Sequence, residues 1–181
     1  MEKQVIWKRN NCLKIYTKVG DRGNTHTYSG QKVPKDHDIV EVMGCIDSLL
    51  SSLDACILKA KEHEEELEEI QRILWQTAGE LSLKDQGKNV KKIVEEKDIA
   101  YLEDYIDTNN PEISHFVRFR TEAGVRLNEA RVRCRRLERR LVTLLKNNDV
   151  RDIVFKYINR LSDFLYVLSC EVEEELRPHK E

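Results

Sequence analysis

Between Ala130 and Arg140 the chain reads Ala-Arg-Val-Arg-Cys-Arg-Arg-Leu-Glu-Arg-Arg, six arginines in eleven residues with Glu138 the one acid. No glycine or proline interrupts the run, and Ala, Leu and Arg are good helix formers, so a helix is predicted. Such a helix must bury one stripe, predicted as Val125, Ala130, Cys134, Leu137, Leu141 and Leu144, and carry its arginines around the remaining surface. Arg131, Arg135 and Glu138 stand at i, i+4 and i+7 and share one face. A planar guanidinium binds two phosphate oxygens at once and keeps its charge. A charge run taken alone is most often a solvated, salt-bridged face, so the other segments decide its meaning.

The rest of the chain also reads as helices. Asp36 or Asp38 is the predicted cap of a first helix starting near Ile39. Its stripe is Ile39, Val42, Met43, Ile46, Leu49, Leu50, Leu53 and Ile57, with Asp47 set among them. Asp47 either points outward or needs a cationic partner. Glu62 to Leu83 is a second helix burying Leu67, Ile70, Ile73, Leu74, Ala78 and Leu81, with His63 solvated in its acidic opening run. Lys84 to Lys92 reads as a polar linker. Glu95 to Asp107 is a shorter helix closed by Asn109-Asn110-Pro111. Phe116 to Arg120 connects to the arginine helix, which starts near Thr121. Asn147-Asn148-Asp149 ends that helix and caps a last one from Val150 to about Leu176. There Asn159 and Asp163, at i and i+4 beside Arg160, make either a site or a polar tie between helices.

Residues 1–36 differ. Ile15 to Thr27 mixes β-branched residues, hydroxyls and the Gly20-Asp21-Arg22-Gly23 turn, and Ser29 to Lys35 adds a second turn and two lysines. This composition suits a phosphate cradle or an ordinary polar loop; the Walker A spacing is absent. The expected fold is all-α: a five-helix bundle following an extended N-terminal arm, one domain over 1–181 with the arm at 1–36 and the bundle at 37–177. A net charge of −2 provides no global field for nucleic acid, and no apolar run approaches the roughly 18 residues of a membrane span. Five scattered cysteines without a Cys-x-x-Cys pair read as free thiols in a reducing cytoplasm and suggest no metal site.

Three segments, in order, carry a resemblance. Ile15-Tyr16-Thr17-Lys18-Val19-Gly20-Asp21-Arg22-Gly23 is close to an "IYTKtGDkG" signature, Ala130 to Arg140 to "ARtvCRRaER", and Tyr157 to Leu168 to "yLNRLSDyLFvL". Together they resemble the Pdu-type ATP:cob(I)alamin (corrinoid) adenosyltransferases. The resemblance implies a homotrimeric five-helix bundle with sites between subunits. It also implies transfer of the 5′-deoxyadenosyl group of ATP, with Mg²⁺, to the cobalt of a reduced corrinoid, releasing triphosphate. A corrinoid reductase and an adenosylcobalamin-dependent enzyme would be its partners.

Carried over by position, Thr17, Lys18, Val19 and Gly20 resemble the phosphate-binding arm, followed by Thr25, His26 and Lys35. Arg135, Arg136, Glu138, Arg139 and Asn159 match nucleotide-binding positions. Arg131 and Asp47 resemble a salt-bridged pair bracing the site, and Phe116 matches the residue at the corrinoid face. Arg133 and Arg140 are read as surface. The chain departs from the family at Ser48, where a Glu is usual, at Arg118 to Thr121, which replace a Pro-Gly-Gly turn, and at Asn128, often a His. The nucleotide half is therefore better preserved than the corrinoid half. A catalytically altered ATP- and corrinoid-binding or cofactor-delivery protein is the alternative. An RNA-binding bundle is disfavoured by the charge balance and the lack of a base-stacking platform.

Overall fold

The computed structural model describes residues 18–83, 94–111, 113, 117–147 and 150–173. Five helices carry the fold: α1 (Asp38–Lys59), α2 (Glu64–Leu83), α3 (Glu96–Asn109), α4 (Glu122–Lys146) and α5 (Asp152–Glu171). α4 lies between α1 and α5, α2 packs on α1, and α3 packs on α5. One hydrophobic cluster runs through all five. The arm forms a 3-10 turn, Val19–Arg22, and a small antiparallel hairpin, β1 (Asn24–His26) with β2 (Lys32–Pro34). Its register pairs Asn24 with Pro34, Thr25 with Val33 and His26 with Lys32. Gly30 closes the hairpin turn at φ 86°, a left-handed conformation that favours glycine.

Periodicity accounts for most of the core. Val42, Ile46, Leu49 and Leu53 of α1, all six predicted positions of α2, and Ala130, Cys134, Leu137, Leu141 and Leu144 of α4 are buried. Val125 is not. It is 46% exposed, while Leu127 is fully buried. Leu127 fits the three- and four-residue spacing of the stripe, and Val125, two residues earlier, falls on the far side of the helix.

Helix ends differ from expectation in several places. His37, rather than Asp36 or Asp38, caps α1: its Nδ1 accepts from the Ile39 amide at 3.3 Å. His63 is buried, not solvated. The chain turns tightly through Lys61–His63, and the His63 amide donates to the Ala60 carbonyl at 3.1 Å. That turn sets His63 one helical turn ahead of Leu67, on the core side. α3 begins with a capping box in which the Glu95 amide donates to Asp98 Oδ2 at 2.8 Å. α5 starts at Asp152 with Arg151 as its cap, and the Arg151 guanidinium holds Glu80 at 2.8 Å, tying α5 to α2. The predicted linker from Lys84 to Lys92 lies outside the described residues, as do 148–149 and 174–181.

α4 starts beside Thr121 as predicted, and Thr121 caps it, its Oγ1 accepting from the Gly124 amide at 3.0 Å. Glu173, just past α5, accepts from the amides of Arg120 and Thr121, each at 2.9 Å, and from Thr121 Oγ1 at 2.8 Å. A carboxylate at a helix N-terminus is favoured by the helix dipole as well as by these bonds. Gly124 makes room for it: an added Cβ would overlap Glu173 Oε1 and come within 2.9 Å of Thr121 Oγ1. Gly124→Ala is therefore expected to lower stability by about 1–3 kcal/mol, the usual range for overpacking. Gly79→Ala, where a Cβ meets nothing within 4 Å, should instead raise it by up to about 1 kcal/mol through helix propensity. Urea unfolding of the two variants checks the opposite signs.

Candidate active site

Burying one stripe of α4 spreads its arginines over the other three sides. On the α5 side Arg131 is half-buried, donates from Nε to Asn128 Oδ1 at 2.8 Å, and lies 5.5 Å from the Tyr166 ring centroid. Burial, helped by the neighbouring Arg135 charge, lowers its pKa from the ordinary arginine value. The stacked guanidinium nonetheless stays charged. Arg135 is exposed, with its nearest carboxylate, that of Glu138, 4.0 Å away. A cavity of about 390 Å³ opens here, lined by Phe119, Asn128, Arg131, Arg135, Asp163 and Tyr166. Phe119 meets the Tyr166 ring edge-on at 6.1 Å.

On the α1 side, Arg136 lies 4.0 Å and Arg140 3.6 Å from the Glu41 carboxylate. Arg133 donates to Ser48 Oγ of α1 and to Glu129 Oε1 at 2.6 Å. Arg139 is exposed between the two flanks. The arginine ridge thus divides by grip: Arg133 is bound to oxygens of its own chain, whereas Arg135, Arg136 and Arg139 are only loosely engaged.

The arm approaches the same side of α4. Lys18 takes φ 61°, and the 3-10 turn follows it directly. The Lys35 ammonium packs on Gly20, 3.1 Å from where a Cβ would stand, so any larger residue at position 20 would push it aside. Lys35 and Arg136 line one cavity. Lys18, Gly20, Lys35 and Arg136 are in this way brought to one region. Thr25 and His26, on β1, face a separate groove with His37 and Met43. Thr17 and the side chain of Val19 lie outside the described residues, as does Phe116.

Glu138 is half-buried next to Arg135. Asn159 is half-buried on α5, one turn before Asp163, and its carbonyl accepts from Ser162 Oγ at 2.9 Å. Arg160 Nε donates to Glu103 of α3 at 2.7 Å, so this member of the trio is an interhelical tie. Asp47 and Arg131 do not pair within one chain. The α1 stripe turns Asp47 out to solvent, while Arg131 lies on the α5 flank of α4, away from α1. Arg133 is half-exposed but is not a free surface residue, because α1 packs against it and supplies Ser48. Sequence reasoning passed over Tyr166, Glu41 and Ser48 as partners; Tyr166, three residues after Asp163 on the same helix, had the one local signal.

The four described cysteines are free and buried. Burial pushes the Cys56 thiol up to about 12 and that of Cys134 higher still, so both stay protonated and unreactive at neutral pH. Among the described residues no three His, Cys, Asp or Glu side chains converge as a metal site, and no helix is long and apolar enough to cross a membrane.

A family model described as cobalamin adenosyltransferase matches residues 15–172. The corrinoid adenosyltransferase PduO of Citrobacter freundii is 40% identical over 164 residues, covering 87% of this chain and 49% of its own. A second Citrobacter freundii corrinoid adenosyltransferase is 34% identical over 168 residues, covering 89% of this chain and 95% of its own. The chain spans about half the length of the PduO relatives it matches. Among solved structures, a variant of the PduO-type ATP:corrinoid adenosyltransferase from Lactobacillus reuteri, complexed with cobalamin and ATP, superposes with a TM-score of 0.77. It is 30% identical, and the match covers 86% of this chain and 89% of that one.

Proposed function

The chain belongs to the cobalamin adenosyltransferase family, and from that premise we propose that it transfers the 5′-deoxyadenosyl group of ATP to the cobalt of a reduced corrinoid. The observation that carries the reading is the set of loosely engaged arginines on α4, of which Arg136 shares a cavity with Lys35 of the arm.

The chemistry asks little covalent work of the protein. The reduced cobalt provides the electron pair that forms the bond to C5′. The C5′–oxygen bond breaks, and triphosphate leaves with the electron pair of that broken bond. No Ser, Cys or His nucleophile is needed, in keeping with the protonated, buried thiols. The protein's task is to orient the two substrates and to neutralise a highly charged leaving group. Arg135, Arg136 and Arg139, with Lys18 and Lys35, supply the cations for this, and the arm from Thr17 to Gly20 its backbone donors. Glu138 and Asn159 complete the nucleotide site by their correspondence to the family motif, as do Thr25 and His26, although within one chain those two line a separate groove, and Phe116 corresponds to the apolar wall facing the corrinoid. The ligand set suits Mg²⁺ carried on the triphosphate oxygens, since magnesium binds substrate phosphates more readily than all-protein cages.

A homotrimer with sites between protomers is part of the proposal. Val125 and Val132 stand 46% and 52% exposed on α4, and Asp47 and Arg131 are left unpaired within one chain. Both features are accounted for if Asp47 of one protomer meets Arg131 of its neighbour. A reductase supplying the reduced corrinoid, and an enzyme using the adenosylated product, are the partners such chemistry requires. The reducing cytoplasm suits the free thiols.

Anaerobic incubation of the protein with cob(I)alamin, ATP and Mg²⁺ should convert the cob(I)alamin spectrum to that of adenosylcobalamin; an unchanged spectrum overturns the reading. The alternative, binding without turnover, is favoured by the segment from Arg118 to Thr121, clamped by Glu173. It predicts calorimetric binding of ATP with no spectral conversion.

A further inference from the structure

We propose that Arg133 is a further cation of the polyphosphate site, gripping the triphosphate of the nucleotide together with Lys35 and Arg136. The proposal rests on the adenosyltransferase reading and adds a residue outside the set matched to the family motif.

A cavity of about 210 Å³ lies between α1 and α4, lined among others by Lys35, Glu41, Gly44, Ser48, Arg133 and Arg136. Three cations face one carboxylate. That carboxylate, Glu41, is already divided between Arg136 and Arg140. Glu129 is divided in the same way, between Arg133 at 2.6 Å and Arg126 at 3.5 Å. The pocket is therefore cationic on balance, and the space above Gly44 is open, with nothing within 4 Å of where a Cβ would point.

Arg133 is held for the task rather than merely present. Its two terminal nitrogens donate to Ser48 on α1 and to Glu129 on α4, which fixes the guanidinium plane from two helices. A group already immobilised loses little entropy when a ligand arrives. Its Nε is buried and has no acceptor among the described residues, leaving the group with an unmet donor. Ser48 matters as well: a hydroxyl orients the guanidinium without adding a second carboxylate to the one Glu129 already provides. A compact pocket with two arginine forks and a lysine suits the clustered oxygens of a polyphosphate better than a single carboxylate. The Lys35 contact with Gly20 joins it to the arm.

Calorimetric titration with inorganic triphosphate tests the assignment. Arg133→Met should weaken binding about ten- to a hundredfold, the worth of one charge-assisted contact. Arg126→Met, an equal loss of charge on the exposed side of α4, should leave affinity within about threefold. Ser48→Ala, which removes a tether but not the charge, should fall between them. If Arg133→Met does not fold, Arg133→Gln carries the test, because its amide can still bond Ser48 and Glu129. Affinity within twofold of the unaltered protein in the folded Arg133 variant overturns the proposal. If that happens while Arg136→Ala binds weakly, only Arg133 is removed from the site. If the unaltered protein binds neither triphosphate nor ATP, the adenosyltransferase reading falls with it.

Discussion

Arg135→Ala is expected to lower adenosyl transfer by about a hundred- to a thousandfold in kcat, the cost of losing one preorganised donor to a developing anion. Arg135 stands apart from the other arginines by what it does not bind. Arg151 and Arg160 are bound to carboxylates at 2.8 and 2.7 Å. Arg135 has Glu138 at 4.0 Å and is otherwise exposed, so its fork is free to meet leaving-group oxygens. Because it packs on no core residue, stability should change by less than about 0.5 kcal/mol, as at most surface positions. Arg135→Lys should recover part of the loss, keeping the charge but not the two-pronged geometry. Steady-state kinetics at saturating ATP separate the outcomes. An alanine variant with unaltered kcat and KM would remove Arg135 from the reaction.

The helices were legible because burial is periodic. Leu127 to Leu144 repeats at three and four residues, and α1 and α2 do likewise. What escaped was decided by local geometry that apolar periodicity does not carry. His37 caps α1 through an imidazole nitrogen, outside the usual capping residues. His63 looked solvated in an acidic run, yet the turn between α1 and α2 carries it into the core.

Residue types at the site were equally legible, since arginines, glycines and a lysine announce an anion. Their division was not. Which arginine is free and which is tied follows from α1 packing on one flank of α4 and α5 on the other. Ser48 and Arg133, 85 residues apart, meet only through that packing. The expected Asp47–Arg131 pair shows the same limit. A motif can relate two residues without saying whether they meet inside one chain or across two.

Phe164→Ala should produce a loss of the opposite kind, about 3–5 kcal/mol of stability with the chemistry spared, in the range for deleting a buried aromatic ring. Phe164 is fully buried, and its ring lies 4.8 Å from that of Tyr105 and 6.4 Å from that of Tyr101, both on α3. α3 is otherwise held by Ile99 and Leu102, which are buried, and by Ile106 against the core. It packs chiefly on α5, and its polar ties are Glu103 to Arg160 and Tyr105 Oη to Glu171 at 2.6 Å. Burial and the Glu171 bond raise the Tyr105 pKa, so that hydroxyl remains a donor at neutral pH. Both ties are at the exposed surface, where such contacts contribute about 1 kcal/mol or less, and they cannot replace the ring. A domain's whole stability is about 5–15 kcal/mol, so the variant should unfold at much lower urea. Hydrogen exchange should quicken first over Glu96–Asn109. Ile106 of α3 lines the cavity that holds Arg131 and Arg135, but Phe164 does not, so kcat measured cold, where the variant is still folded, should stay within about twofold. Slow exchange in α3 together with a lost kcat would mean that Phe164 shapes the site rather than the bundle.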